Sequence, residues 1–479
     1  MPADGTSGAP SGRRECDVTV VAGVDSSTQS CKVVVCDAES GRVIREAKAP
    51  HPDTTEVDPH WWWEAWCSAS AGLLDGVEAL AVGGQQHGMV ALDADGEVVR
   101  PALLWNDTRS AGAAEDLVTE LGAETWAKAV GSVPVASFTV TKLRWLARHE
   151  PENAQRVATV LLPHDWLTWR ILDRPSDPTT DRGDASGTGY WSPHTGEYRL
   201  DLLESAFGRA VGVPRVLAPN EPAGATSDGV VVAAGTGDNM GAALGLGQAP
   251  GDVAVSIGTS GVVCAVHSQA TADPSGNVAG FCDATGQFLP LACTLNAARV
   301  LSSAAQLLGC DLRVLDELAL SAPPGADGLT LLPYLDGERT PNLPSAAGTL
   351  CGLRRTNSTP AHLARAAVEG LLCGLADGLD ALRVIGVQPQ HVLLVGGGSQ
   401  SMAVQALAPD IFGLHVVRPE PAEYVARGAA RQAAWALSGK TSPPDWPLPA
   451  ASTHEPSGVA AGLEVRAEYA QNRRAVFGI

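Results

Sequence analysis

The sequence is short of the features that mark several large protein classes. It has only five lysines, and its 53 acidic residues outnumber 33 basic ones, for a formal charge of −20. A chain so acidic lacks the basic face that a phosphate backbone or an anionic membrane requires, which argues against a nucleic-acid partner. No stretch approaches the roughly 18 consecutive apolar residues of a membrane span. Residues 1–15 are rich in Gly, Ser and Pro and lack the apolar core of a signal peptide, so a disordered tail on a cytoplasmic protein is expected. The ten cysteines are scattered singly, with no C-x-x-C pair and no Cys/His cluster at zinc-ligand spacing. They read as buried thiols in a reducing compartment. The sequons at Asn106 and Asn357 then carry no weight.

What is present is a soluble globular composition, 45% hydrophobic and 18% charged, in a chain of 479 residues that is too long for one core. Two stretches look like copies of one hairpin: VAGVDSSTQSCKVVV from Val21 to Val35, and VAVSIGTSGVVCAV from Val253 to Val266. Their turns align Asp25 with Ser256, Thr28 with Thr259 and Ser30 with Gly261. Small residues between two strands let backbone N–H groups and hydroxyls converge on one anion. Two such hairpins, one in each half of the chain, point to a nucleotide's phosphates held between two domains.

Around the hairpins the pattern predicts strands at 19–24, 32–37 and 42–49, then a helix beginning at Asp58 as N-cap. The tryptophans at 61–63 and 66 read as packing groups. A strand at 79–83 runs into GGQQHG (Gly83 to Gly88), and a strand at 230–234 runs into GTGDNMGAALGLG, where the chain is expected to cross between domains. Residues 173–222 read as irregular. A helix from Pro360 to about Ile385 is capped by Thr359, and its Leu363, Ala367, Leu371, Leu375 and Leu379 form one stripe. The strand 391–395 leads into GGGSQS, and a helix spans about 422–437. The expected divisions are a tail at 1–15, a first domain at 16–248, a second at 249–437, and a C-terminal tail at 438–479 with a short helix near 464–475. Ser438 to Thr441 imitates the end of a Walker A loop, but Ala434 stands where its first glycine belongs, and the segment follows a helix.

Ten motifs in order carry a family resemblance: GVDSSTQSCK, EVDPHWWW, GGQQHG, LWNDTR, LLPHDWLTWR, TTDRGDASGT, GTGDNMGAALG, SIGTSG, LPYLDGERTPN and LLVGGGSQS. Together they resemble the FGGY carbohydrate kinases, within the sugar-kinase, actin and heat-shock ATPase superfamily, over roughly Val18 to Leu437. GQQHG with LWND is most similar to the branch acting on D-xylulose. The resemblance implies an α/β fold of two actin-like (ribonuclease H-like) domains, each a mixed sheet flanked by helices, with ATP in the cleft. It implies ATP- and Mg²⁺-dependent phosphorylation of D-xylulose to D-xylulose 5-phosphate. Other sugars or polyols of the family (ribulose, gluconate), or a non-catalytic sensor on the same fold, are the alternatives. The partners expected are therefore a small sugar and ATP, without nucleic acid or membrane, and with homodimer formation left open.

By this resemblance Asp238 is the catalytic base, orienting the hydroxyl and taking its proton as the P–O bond forms. Asp25, after a strand and before a Ser-Ser-Thr turn, suits a hard oxygen ligand to hydrated Mg²⁺. Thr28 and Lys32 in the first hairpin, and Gly258 and Thr259 in the second, are candidates for the β- and γ-phosphates. Ser27 stands where family members commonly have Gly, and Gln29 and Cys31 are also unusual there. Gln86 and His87, a polar pair at a strand end, can hydrogen-bond the hydroxyls of an open-chain ketose, with Asn239 beside them. Gly397 and Gly398, with Gly396, would lay adenine and ribose on bare backbone. Trp105 and Asp107 read as cleft-lining or supporting groups, and Asp181 and Asp184 as structural. The segment Asp336 to Pro341 reads as a cleft edge whose charges pair internally.

Overall fold

The computed structural model describes residues 18–479, so the tail expected at 1–15 lies outside the described residues. The first sheet contains β1 (Val20–Ser26), β2 (Ser30–Asp37), β3 (Val43–Pro50), β4 (Val77–Gly84), β5 (Pro222–Ala225) and β6 (Val231–Ala233). They lie in the order β5-β6-β4-β1-β2-β3, with the short β7 (Thr236–Gly237) on the end of β4. The second sheet contains β8 (Asp252–Ile257), β9 (Gly261–Ala265), β10 (Val278–Cys282), β11 (Phe288–Thr294), β12 (His391–Val395), β13 (His415–Pro419) and β14 (Ala450–His454). Its order is β10-β11-β9-β8-β12-β13-β14.

The two sheets follow one plan. Each begins with an antiparallel hairpin, β1/β2 and β8/β9, joined by a tight turn of small residues. Beside each first strand lies a parallel one, β4 on β1 and β12 on β8. A second parallel strand follows, β6 on β4 and β13 on β12, and an antiparallel strand closes the edge, β5 or β14. GGQQHG and GGGSQS therefore occupy equivalent ends of equivalent strands. This is the duplicated α/β arrangement expected. The β-branched, fully buried runs of β1 and β8 mark them as central strands covered on both faces.

The segment after Ser438 is more regular than a tail with a short helix. It supplies β14 to the second sheet and a 19-residue helix, Val459–Phe477, whose Tyr469 enters the core of the second sheet. Residues 173–222 also hold more structure than expected, including Thr179–Asp181, Arg182–Ala185 and Leu200–Phe207. The helix after Asp58 is α1 (His60–Ser70), and the Asp58 carboxylate accepts the His60 N–H at 2.9 Å. Trp62 and Trp66 are buried there, and Trp62 meets Trp166 edge-on at 6.1 Å. Among the described residues, no helix is long and apolar enough to cross a membrane.

Two helices lie between the sheets. Helix α2 (Asp238–Leu246) follows β7, and α3 (Tyr424–Ser438) follows β13. Although α3 comes late in the chain, its Ala426, Ala429, Ala430 and Ala433 pack on Val21, Ala79 and Ala81 of the first sheet. The approach is backbone on backbone. A Cβ on Gly428 would fall 1.9 Å from the Gly241 carbonyl oxygen, and one on Gly245 would fall 1.9 Å from that of Tyr424. No side chain can yield there, because both obstacles are main chain. Gly428→Ala is expected to cost ~1–3 kcal/mol of stability, which urea unfolding of the two proteins measures.

Candidate active site

The ends of both hairpins and both glycine-rich loops border the space beside α2 and α3. Asp25, in register with Lys32 across the first hairpin, is buried, and its Oδ1 has no hydrogen-bond partner. Burial pushes its carboxyl up to about 6, against the pull of Lys32. The Lys32 ammonium sits 3.5 Å from Asp25 Oδ2 and 2.6 Å from Glu423 Oε2, which stands just before α3. Burial works against its charge, but Glu423 and Asp25 hold its pKa above the usual lysine value. Lys32 thus faces the cleft already committed to two carboxylates. Thr28, in the turn, accepts the Trp105 indole N–H at 2.9 Å.

Asp238 is the first residue of α2, one position later than a strand end, and its carboxylate lies at the positive end of the helix. Its Oδ1 accepts the Asn239 N–H at 2.8 Å and Asn239 Nδ2 at 3.0 Å, which leaves Oδ2 to take a proton. Burial, and after it the charge of Asp25, pushes the Asp238 carboxyl up to about 7. Asn239 Nδ2 also donates to Gln86 Oε1 at 2.9 Å, while Gln86 Nε2 is buried and without a partner. That unmatched donor calls for an acceptor from outside the protein.

Gln86, His87, Asp238 and Asn239 line one cavity of about 210 Å³ with Trp105, Phe138, Phe281 and Arg339. The His87 backbone is in the left-handed region at φ 69°, a strained setting for a non-glycine residue. It turns the ring onto Phe138, with centroids 4.8 Å apart. His87 Nδ1 lies 2.7 Å from the Gly187 carbonyl, so Nδ1 carries the proton and Nε2 is an acceptor. Burial pushes this imidazole down to about 3, which keeps it neutral.

A second cavity of about 530 Å³ adjoins the first. Asp25, Lys32, Ser256, Gly396, Gly397, Gln400, Glu423 and Tyr424 line it, and Asn239 and Val262 line both. Gly397 thus reaches the cavity. Gly398 does not, since it is buried where a Cβ would lie 2.3 Å from Ile257 Cγ2, and it seats the loop on β8. Gly258 and Thr259 form the second turn, their carbonyls accepting the Ala298 and Ala297 N–H groups at 2.8 and 3.3 Å. Their neighbours Ser256 and Ser260, not they, line the cavities.

The charges of Asp336 to Pro341 do not pair among themselves. Asp336 bonds Arg299, and Glu338 accepts from Leu295 N, Asn296 Nδ2 and Arg339 N. This clamp leaves the Arg339 side chain on the wall of the smaller cavity, a position the internal-pairing expectation missed. Glu423 was also missed, because nothing in its local sequence shows that α3 returns to the first sheet. Asp181 caps the helical turn Arg182–Ala185 by accepting from Gly183 N and Asp184 N. Asp184 meets the fully buried His164 at 2.6 Å, with Asp165 3.3 Å from the other ring nitrogen. Burial opposes the imidazolium, but Asp165 and Asp184 raise His164 to about 10. This cluster lies under the sheet end, where a Cβ on Gly84 would come 2.8 Å from His164 Cβ.

Residues 20–247 match the N-terminal domain of the FGGY family of carbohydrate kinases, and residues 253–437 match its C-terminal domain. A xylulose kinase of Streptomyces coelicolor is 48% identical over 88% of this chain and 89% of its own length. The crystal structure of xylulose kinase from Bifidobacterium adolescentis superposes with a TM-score of 0.89 at 46% identity, covering 95% of this chain and 99% of that one. A gluconate kinase structure from Lactobacillus acidophilus has a TM-score of 0.88 at only 21% identity, covering 96% and 98% of the two chains, and so shares the fold. Two matched domains and relatives of this identity leave one conclusion: the chain belongs to the FGGY family of carbohydrate kinases and is a sugar kinase.

Proposed function

We propose that the protein phosphorylates D-xylulose at its 5-hydroxyl with ATP. The observation that carries this reading is Asp238, a carboxylate in the small polar cavity that adjoins the larger glycine-lined one. Fold cannot choose the sugar. The choice of D-xylulose rests on the Streptomyces and Bifidobacterium relatives named xylulose kinase. Gln86 Nε2 donates to the sugar, His87 Nε2 accepts from it, and Arg339 offers donors to its carbonyl or hydroxyl oxygens. Asp238 Oδ2 orients the attacking hydroxyl and receives its proton as the oxygen bonds to the γ-phosphorus and the bond to ADP breaks. The Phe138 and Phe281 rings keep water from competing for the phosphoryl group.

The larger cavity takes ATP, with Gly396 and Gly397 beneath the nucleoside and the hairpin turns around the phosphates. Asp25 fits a Mg²⁺ site because it lines that cavity and its buried Oδ1 has no partner, and Mg²⁺ commonly takes one or two carboxylates plus waters. A divalent ion held by Asp25 would supply positive charge to the phosphate groups of ATP. Assaying ADP formation on D-xylulose, D-ribulose, gluconate and glycerol tests the substrate. A kcat/KM for gluconate or glycerol above that for D-xylulose would overturn the choice.

Asp238→Ala should lower kcat roughly 10²–10⁴-fold while ATP affinity is almost unchanged. Because the base must be ionised and its pKa lies near 7, kcat/KM should fall about tenfold per pH unit below that value and level off above it. The same shift has a stability consequence. The folded carboxyl holds its proton to higher pH than the unfolded one at about 3.9, so this group makes folding less favourable as pH rises from 4 to 7. Asp238→Asn should therefore be more stable than the native protein at pH 8, by ~1–3 kcal/mol, with the gain vanishing near pH 4. Thermal melts at the two pH values check it.

A further inference from the structure

Trp105 touches both halves of the reaction. Its indole lines the smaller cavity, 37% exposed, and its Nε1 donates to Thr28 Oγ1 at 2.9 Å in the first hairpin turn. The backbone on either side is fixed. The Leu104 N–H reaches the Thr55 carbonyl at 3.0 Å, and Asp107 is held by Thr55 Oγ1 at 2.9 Å and Arg109 Nε at 2.8 Å. The Thr28 backbone is similarly restrained, since His51 bonds the carbonyls of Ser27 and Gln29, each at 2.8 Å. What remains free to turn is the indole and the Thr28 hydroxyl, and they hold each other.

We infer that Trp105 is a positioning residue that couples sugar occupancy to the phosphate grip of the first hairpin through its bond to Thr28. The argument is one of donors and acceptors. An indole N–H only donates, while a threonine hydroxyl has a single proton and two lone pairs. With Trp105 donating into the oxygen, the hydroxyl proton is directed to another acceptor; Thr28 itself lines neither cavity, and a phosphate oxygen that reaches the first hairpin turn is such a group. A sugar packed against the indole face restricts the ring and, through it, the hydroxyl rotor. Nucleotide binding then meets a donor already aimed, and linkage requires that the nucleotide favour the sugar by the same factor.

This inference rests on the reading of Thr28 as a phosphate ligand, and the variants separate the two. The dissociation constant of a non-hydrolysable ATP analogue is measured by calorimetry with and without D-xylulose, in the native protein, Trp105→Phe, Thr28→Val and the double variant. Phenylalanine keeps an aromatic wall and removes only the N–H. The native protein should bind the analogue about 5–20-fold more tightly with sugar present. In Trp105→Phe that factor should fall below about twofold, while each ligand alone binds within about threefold of its native affinity. The double variant should be no worse than Thr28→Val, since both remove one interaction. A native coupling factor near one, an unchanged factor in Trp105→Phe, or additive losses in the double variant would each overturn the coupling. If Thr28→Val keeps the native sugar effect, the path through Thr28 is overturned; if it loses that effect yet binds the analogue alone as tightly as the native protein, it is the direct phosphate contact of Thr28 that fails.

Discussion

The close approach of α2 to α3 is the constraint on which the cleft depends. Each helix follows the second parallel strand of its own sheet, so their contact is where the duplicated plan closes on itself. Asp238 begins one helix and Glu423 stands just before the other. With Gly241, Gly245 and Gly428 at the crossing, neither helix has side chains through which to slide or tilt. The separation between Asp238, the first hairpin and Glu423 is therefore set by main-chain contact. Side chains of flexible length would hold it less firmly.

That rigid spacing gives the electrostatics their meaning. Asp25, buried, and Asp238, half-buried, lie close enough for the charge of Asp25 to raise Asp238, and Glu423 in turn raises Asp25. In open water such carboxylates would be ionised and weakly basic. Here desolvation and mutual repulsion move Asp238 to a range where it can accept a proton at neutral pH. The cost is paid in stability, and it is the packing of α2 against α3 that keeps the groups from moving apart.

Much of this could be read from the sequence because the decisive signals are local. The two hairpins declared themselves by repetition, and strand-to-glycine transitions at 83 and 396 placed both loops correctly. Asp238 was singled out by the family resemblance of its GTGDNMGAALG motif, although it opens a helix and does not end a strand. The groups that escaped notice depend on contacts distant in sequence. The Lys32 ion pair could not be read locally because Glu423 lies 391 residues away, and their pairing exists only once α3 returns to the first sheet. Arg339 was hidden by charged neighbours that bond to Arg299, Leu295 and Asn296 in place of one another. The regular structure after Ser438 was obscured by Pro-rich surroundings, although β14 completes the edge as β5 does in the first sheet.

The commitment of Lys32 has a consequence for how an anion can be held in so acidic a protein. ATP brings several negative charges to a cleft where Asp25, Asp238 and Glu423 already stand, and the lysine there is balanced by two of them. Lys32 is therefore not a free cation for the phosphates. On the proposed reading, the groups left to hold them are backbone N–H dipoles at the hairpin turns, the hydroxyls of Thr28, Ser256 and Ser260, and a divalent ion bound at Asp25. Dipoles of this kind act at short range and only when aimed. This explains why the hairpin turns are pinned by His51 on one side and by Ala297 and Ala298 on the other. A site that cannot attract its ligand by net charge has to present every donor already in place, and the duplicated hairpins, pinned at both turns, meet that requirement.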